Sequence, residues 1–288
     1  MKFSFIEEHR CWWRLGRMCQ MLGVSKAGYF GWRHRPESHR SGEDRALTTR
    51  IQVIHSESRK TYGSPRVHRE LRCQGTSVSR KRVERLMREA GVRVKPQARF
   101  VVTTDSDHDL PIAPNLLQQD FSAGAPDRRW VTDITYVPTG EGWLYVAAIV
   151  DLFSRRVVGW AMQERMDRSL VLAALVMAVK LRQPDAGLIH HSDRGSQYAS
   201  DDYRTALVDH GMIASMSRRA CCYDNAAMES FWHTLKVELI HRHRFQTRAE
   251  AIQAIFEFIE VFYNRVRRHS SIGYVSPVEF ERQHSAVA

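Results

Sequence analysis

LIHHSDRGSQY, residues 188–198, is the stretch on which the reading of the fold turns. An apolar run leads into two histidines and then breaks at Ser192-Asp193-Arg194-Gly195. A buried strand that ends in a carboxylate and turns at once on a glycine sets that carboxylate at a sheet edge, where cations and phosphates have access. Taken alone, Asp193 is a turn residue. Its meaning depends on whether Asp133 upstream and Glu229 downstream reach the same place.

Upstream, residues 130–138 alternate, with Val131, Asp133, Thr135 and Val137 on one face and Trp130, Thr132, Ile134 and Tyr136 on the other. Thr139-Gly140-Glu141-Gly142 predicts a hairpin turn. Residues 143–150 and 156–162 follow as second and third strands, with a turn at Asp151 whose neighbours Ser154-Arg155-Arg156 suggest salt bridges. An apolar helix over 167–182, capped by Asp167, leads into a fourth strand over 187–191. Downstream, the spacing predicts a helix over 200–210, a short fifth strand over 213–216 and a long helix over 226–240. This pattern is α/β: a mixed five-stranded sheet flanked by helices. Thr247 opens a further helix, with a capping box to Glu250, running to about residue 266.

The first third is all-α. Residues 5–17 predict one short helix, and 17–22 and 26–33 predict two more around Gly23, the latter capped by Ser25. Residues 38–42 read as a linker and 43–56 as a helix. A second helix-turn-helix pattern starts at Ser64-Pro65, breaks at Gln74-Gly75-Thr76, and ends in SRKRVERLMREAG, residues 79–91. Val83, Leu86 and Met87 face inward there, whereas Arg80, Lys81, Arg82, Arg85 and Arg88 face away. A solvated basic helix has the same look; two such patterns in the most basic part of the chain favour DNA. Residues 99–128, rich in Pro, Gly and Asp, read as a linker. The expected division is therefore 1–98 helical DNA-binding region, 99–128 linker, 129–240 catalytic core and 241–288 helical extension.

With 288 residues and 43% hydrophobic content the chain can bury a sizeable core, which excludes a disordered protein. Its net charge of +11 and pI near 9.7 point to a polyanionic partner. The charge is uneven: residues 1–99 hold 23 Lys/Arg against 9 Asp/Glu, while residues 121–288 hold 20 against 19. Five cysteines without CxxC spacing argue against a disulfide framework or a zinc ribbon. No apolar run spans a membrane, and the N-terminus lacks a signal-peptide pattern, so a cytoplasmic protein without a membrane partner is expected.

Three carboxylates, Asp133, Asp193 and Glu229, suit hard divalent cations, Mg2+ or Mn2+. Two such ions roughly 4 Å apart serve phosphodiester chemistry by activating the attacking oxygen and stabilising the leaving one. Each residue singly has an ordinary reading, as a turn cap or a helix-start acid. Asp133 among inward-facing valines is harder to dismiss, because a buried charge needs a partner.

WVTDITYVPT (130–139), HHSDRGSQY (190–198) and YDNAAMESFWHTLKVEL (223–239) resemble the three blocks of bacterial insertion-sequence transposases with a retroviral-integrase-like core. Thirty-five residues separate Asp193 from Glu229, as in the Asp-Asp-Glu triad of that superfamily. MCQMLGVSKAGYFGW (18–32), TYGSPRVHRELRCQG (61–75) and YNRVRRHSSIGYVSP (263–277) resemble its terminal blocks, so the resemblance covers essentially the whole chain.

The resemblance implies an RNase H-like core, with Asp133, Asp193 and Glu229 as catalytic, metal-binding residues. It implies Mg2+ or Mn2+, two ions per site when DNA is bound, and cleavage and strand transfer at element ends. It further implies double-stranded DNA as partner, a first-frame (OrfA) protein, and self-association on DNA. Lys236 matches a family lysine that approaches DNA, though a plain surface lysine reads the same way. Arg194 either holds a phosphate or covers its turn, and Arg267 and Arg268 either contact DNA or compensate a helix dipole. Of the adjacent His190 and His191, at most one faces the site. The family usually has a glycine and a polar residue at the first two positions of Ala220-Cys221-Cys222, a departure that bears on loop stiffness. Nothing around His9, Cys11 or Cys19 has His-His-Cys-Cys spacing, so no zinc is expected. Two rival readings remain: a catalytically silent DNA-binding regulator, and an RNase H-like nuclease that cuts without joining.

Overall fold

The structure, a computed structural model, describes residues 1–36, 38–94, 111–219 and 222–285. Residues 95–110, which include the first part of the expected linker (99–110), and the departure at Ala220 and Cys221 lie outside the described residues.

Three short helices open the chain: α1 (Lys2–His9), α2 (Leu15–Met21) and α3 (Lys26–Arg33). Ile6, Met18, Cys19 and Tyr29 form their small core. The single helix expected over 5–17 is thus two helices with a break. A continuous helix would turn Ile6 and Leu15 about 180° apart, at roughly 100° per residue; the break lets both face Tyr29. Ser25 caps α3 as expected, accepting from the Gly28 N–H at 2.9 Å.

A second three-helix unit follows: α4 (His39–Glu57), α5 (Ser64–Cys73) and α6 (Arg80–Glu89). Leu47, Ile51, Ile54, Val67, Leu71, Val83, Leu86 and Met87 interlock at its centre. α4 begins four residues before the expected start, because Ser38 accepts from the Ser41 N–H and caps it. Gly91, at φ +66°, ends the last turn in the left-handed region that a glycine enters without strain.

The core is a five-stranded sheet in the order β3-β2-β1-β4-β5, built from β1 (Arg129–Thr139), β2 (Gly142–Asp151), β3 (Val157–Gln163), β4 (Ile189–Ser192) and β5 (Ile213–Met216). β1, β2 and β3 are antiparallel neighbours, while β4 runs parallel to β1 and β5 parallel to β4. Alternation on β1 and β2 splits the core in two. Val131, Val137, Leu144, Val146 and Val150 pack against α10 (Ala226–Glu238) and α11 (Arg248–Phe256). Trp130, Ala147 and Ile149 pack against α7 (Arg168–Arg182), α8 (Ser196–Ala199) and α9 (Asp201–Asp209). The helix after Thr247 has the expected capping box. It does not continue as one α-helix to residue 266: the backbone widens to a π-helical turn over Glu257–Tyr263. Asn264, next after that turn, closes the outer edge of β3 by exchanging two bonds of 3.0 Å with the Val157 backbone.

Two further contacts set the frame. Residues 111–128 have no helix or strand but lie on the core, with Leu117 buried among the α10-side residues. The second three-helix unit is fastened to the C-terminal block: the Tyr62 hydroxyl accepts from the Arg268 N–H at 2.8 Å, and Arg268 donates to Glu70 at 2.5 Å. α12 (Pro277–Ser285) is tied to the far end of the sheet through Glu281, which pairs with Arg156 and Arg182 at 2.7 and 2.9 Å.

Candidate active site

The β1–β4 register determines the site. Val131 lies opposite His191, so two residues further along both chains Asp133 comes level with Asp193, on the same face. α10 crosses that face and brings Glu229 from its first turns. All three carboxylates are half-buried.

Asp133 is held from two directions. Its Oδ1 accepts from the Ile134 N–H at 2.8 Å and its Oδ2 from the Trp232 indole N–H at 3.0 Å. Burial, and then the charges of Asp193 and Glu229, push its carboxyl well above the usual range against the pull of those two bonds. Glu229 is also raised, by burial. Asp193 accepts from the Gly195 N–H at 2.9 Å, which shapes the turn into α8. The Lys236 Nζ lies 5.4 Å from the centre of the Tyr136 ring. Burial lowers the Lys236 pKa while Asp133 holds it up. His233, one turn beyond Glu229, is half-buried.

The structure therefore gathers mutually repelling carboxylates around Asp133, and that donor chemistry fits a divalent cation. Among the described residues, however, no group of three or more His, Cys, Asp or Glu side chains stands close enough to hold an ion as built. Asp133, Asp193 and Glu229 are the carboxylates that could hold one.

The neighbours of these carboxylates fall into place. His191 lies on the face of Asp193, but its ring is engaged with the Ser215 and Ser217 hydroxyls at 2.8 and 3.2 Å. His190 points to the other side, against the Tyr203 hydroxyl at 3.3 Å. Burial pulls the two imidazoles down to about 3 for His190 and about 4 for His191, so both are neutral near pH 7. The Arg194 Nε donates to the Ser217 carbonyl at 2.6 Å. Asp151 ends β2 in a turn, accepting from the N–H groups of Asp127, Phe153 and Ser154.

Set beside known proteins, the chain matches the family described as Integrase core domain over residues 123–222 and again, by a second description of that core, over 229–284. Residues 42–100 match the HTH-like domain. It is 49% identical to the IS600 uncharacterized 31 kDa protein of Shigella sonnei, over 94% of this chain and 100% of that one. It is 42% identical to the transposase InsF for insertion sequence IS3A of Escherichia coli (strain K12), over 99% of this chain and 100% of that one. The chain belongs to the insertion-sequence transposases. Among solved structures it is similar to a simian T-cell lymphotropic virus intasome (13% identity, 80% of this chain and 74% of that one, TM-score 0.48). It is also similar to the HTLV-2 integrase catalytic core domain in complex with magnesium (13% identity, 56% and 99%, TM-score 0.44).

The basic residues expected on DNA are not alike in this transposase. Arg80 and Lys81 are exposed at the start of α6. Arg82 is bound to Asp44 and Glu43 at 2.7 and 3.0 Å, and Arg85 to Asp44 and Glu89 at 2.6 and 2.9 Å, which fastens α6 to α4. Arg267 is a correction: it is 3% exposed and donates two bonds of 2.8 Å to Glu238, so it stands inside the protein and not on a DNA-facing surface. Arg268 is half-buried, and Glu70 and the Tyr274 carbonyl hold it in the contact with the second helical unit.

Sequence reasoning missed Trp232, Tyr198 and Asp224. Trp232 follows Glu229 by three positions, the spacing at which helix neighbours share a face, and that signal was legible. Tyr198 meets the Thr132 hydroxyl at 3.2 Å under the two aspartates, a contact across 66 residues with no local signature. Asp224 is fully buried in the turn before α10, where a carboxylate flanked by Tyr and Asn reads as an ordinary helix start.

Proposed function

We propose that this transposase cleaves DNA at the ends of its insertion element and joins those ends to a target, using Asp133, Asp193 and Glu229 as the reacting centre. The observation that supports this best is the β1–β4 register, which brings Asp133 level with Asp193 on the face where the first turn of α10 carries Glu229. Asp133, Asp193 and Glu229 would hold Mg2+ or Mn2+, two ions when DNA is present, and metal held there would supply activation of the attacking oxygen and charge stabilisation at the leaving oxygen of an in-line displacement. The chain's own groups do the rest. Trp232 fixes the orientation of Asp133, Gly195 fixes that of Asp193, and Lys236 offers a cation to a phosphate at the rim of the site.

The N-terminal helices, with Arg80 and Lys81 exposed, bind double-stranded DNA and select the element ends. The division into residues 1–98, 99–128, 129–240 and 241–288 belongs to the same proposal, as do association with a first-frame protein, assembly of several copies on DNA, and a cytoplasmic setting. Among the described residues no helix is long and apolar enough to cross a membrane.

The test is cleavage and joining of labelled end DNA by the full chain with Mg2+. The parent cuts and joins, and Asp193→Asn loses both while still binding DNA. An Asp193→Asn protein as active as the parent overturns the reading. End binding without any metal-dependent chemistry in the parent favours a silent regulator, and cutting without joining favours a nuclease.

A further inference from the structure

The turn that precedes α10 contains a buried carboxylate that the proposed chemistry does not use. Asp224 is 0% exposed. Its Oδ2 accepts from the Arg218 N–H at 2.8 Å, the Arg218 Nε at 3.0 Å and the Asn115 amide at 2.9 Å. Its Oδ1 accepts from the Arg218 Nη2 at 2.9 Å and the Gln119 amide at 3.1 Å. A carboxylate withdrawn from water is tolerable only with such partners, and here they come from two separate stretches of chain. Arg218 follows β5, whereas Asn115 and Gln119 lie on the stretch that leads into β1.

The next residue extends the connection to the sheet. The Asn225 amide donates to the Thr132 carbonyl at 3.1 Å, one residue before Asp133. α10 begins at Ala226, and Glu229 is its fourth residue. The start of this helix is therefore pinned on one side to the strand that holds Asp133 and on the other to the loop beyond β5. Glu229 has only one turn of helix in which to drift from those two anchors.

We propose that Asp224 is the positioning residue of the carboxylate site: it sets the entry of α10 so that Glu229 is held toward Asp133 and Asp193, with Asn115 and Gln119 as its supports. This rests on the reading of Glu229 as a metal-binding residue. Groups hydrogen-bonded directly to metal-binding side chains alter affinity by about 10–100-fold when they are removed; Asp224 acts one step behind them, through the start of α10, so the lower end of that range is expected.

In Asp224→Asn one accepting oxygen becomes an NH2 group. Whichever way the amide turns, at least two of the donors above then face another donor. The experiment titrates the full chain with Mn2+ and reads the bound ion from the loss of the free-ion electron paramagnetic resonance signal. Thermal denaturation is followed in parallel. The expected result is at least a tenfold weakening of Mn2+ binding in a variant that still unfolds cooperatively. Parent-like Mn2+ binding by a folded Asp224→Asn protein overturns the inference.

If that variant does not fold, the double variant Asn115→Ala/Gln119→Ala decides. It removes two supports and leaves the Arg218 pairing intact. Weakened Mn2+ binding at an unchanged midpoint upholds the inference, and parent-like binding overturns it. Asp193→Asn, run alongside, separates the two levels. If it binds Mn2+ and cleaves as the parent does, the triad reading falls and takes this inference with it. If it is inactive while Asp224→Asn matches the parent, only the role of Asp224 falls.

Discussion

Removing the Arg267 side chain tests the assignment of that arginine to the interior. Arg267 and Glu238 are 3% and 8% exposed, and two bonds of 2.8 Å join them. Burial alone would lower the guanidinium pKa, yet the bonds and charge of Glu238 outweigh it and the net shift is upward. Arg267→Ala leaves Glu238 as a buried charge without this partner, a change that costs about 3–5 kcal/mol in comparable pairs. At about 2–4 °C per kcal/mol for a chain of this size, the thermal midpoint falls by roughly 10 °C. Arg267→Met combined with Glu238→Met removes both charges and keeps the volume, and such replacements are close to neutral. The assay is a double-mutant cycle by thermal and urea denaturation, with end-DNA affinity measured on each folded variant. A residue on DNA gives another pattern: Arg267→Ala with unchanged stability and weakened binding, and a double variant that binds no better. A stability loss under about 1 kcal/mol for Arg267→Ala would refute the buried-pair account.

Glu281 carries a pH prediction. Burial raises its pKa, but the Arg182 and Arg156 guanidinium groups and the Ser154 hydroxyl outweigh it, so the folded carboxyl titrates below its ordinary value. Its contribution is then fully present above the unfolded pKa and is lost as pH falls through the lower folded one. Glu281→Gln should lower the thermal midpoint at pH 7, and the gap to the parent should close below about pH 4; a gap that stays constant down to acid pH counts against the ion pairs. Arg80→Ala and Lys81→Ala should each weaken end-DNA binding and reduce the slope of log K against log salt by about 1, with the midpoint unchanged. Arg82→Ala should instead lower the midpoint through the loss of Asp44 and Glu43, and an unchanged salt slope for all three variants removes α6 from the DNA surface. Tyr62→Phe deletes the acceptor for the Arg268 N–H and should cost about 1 kcal/mol by denaturation, with faster proteolysis between the two units; parent-like values for both would show that contact to be idle.

What the sequence made legible is what has a local period. The alternation of residues 130–138 separates the two faces of β1, and Val131 and Val137 are found together on the α10 side. Ser25 and Thr247 mark helix starts because a cap is a property of four consecutive residues. Residues 38–42 failed on the same ground: Ser38 was a cap in plain sight, but the glycine and polar residues after it masked the first turn of α4. The π-helical turn had no signature, because Phe258, Ile259, Phe262 and Tyr263 satisfy an α-helical stripe equally well. The level placement of Asp133 and Asp193 depends on a strand register between segments 60 residues apart. Neither segment encodes that register; the helices and strands between them do.

Charge read from composition says least about individual residues, and the reason is physical. Counting arginines in the first third pointed to DNA, and most of α6 was assigned to it. An arginine, however, is also the side chain best suited to bidentate pairing inside a protein, with a planar fork that keeps its charge when buried. Arg267 takes that role with Glu238, whereas the less buried Arg82, Arg85 and Arg268 each give one bond to Asp44 or Glu70, and these partners lie from 29 to 198 residues away in sequence. An arginine's neighbours in the chain say nothing about such a partner. Asp224 shows the same from the acidic side: Arg218 lies six residues away, but Asn115 and Gln119 lie more than a hundred. The long-range polar pairs that join the helical units to the core and α10 to its neighbours were therefore the least readable part of the chain. They are also the part on which the placement of Glu229 depends.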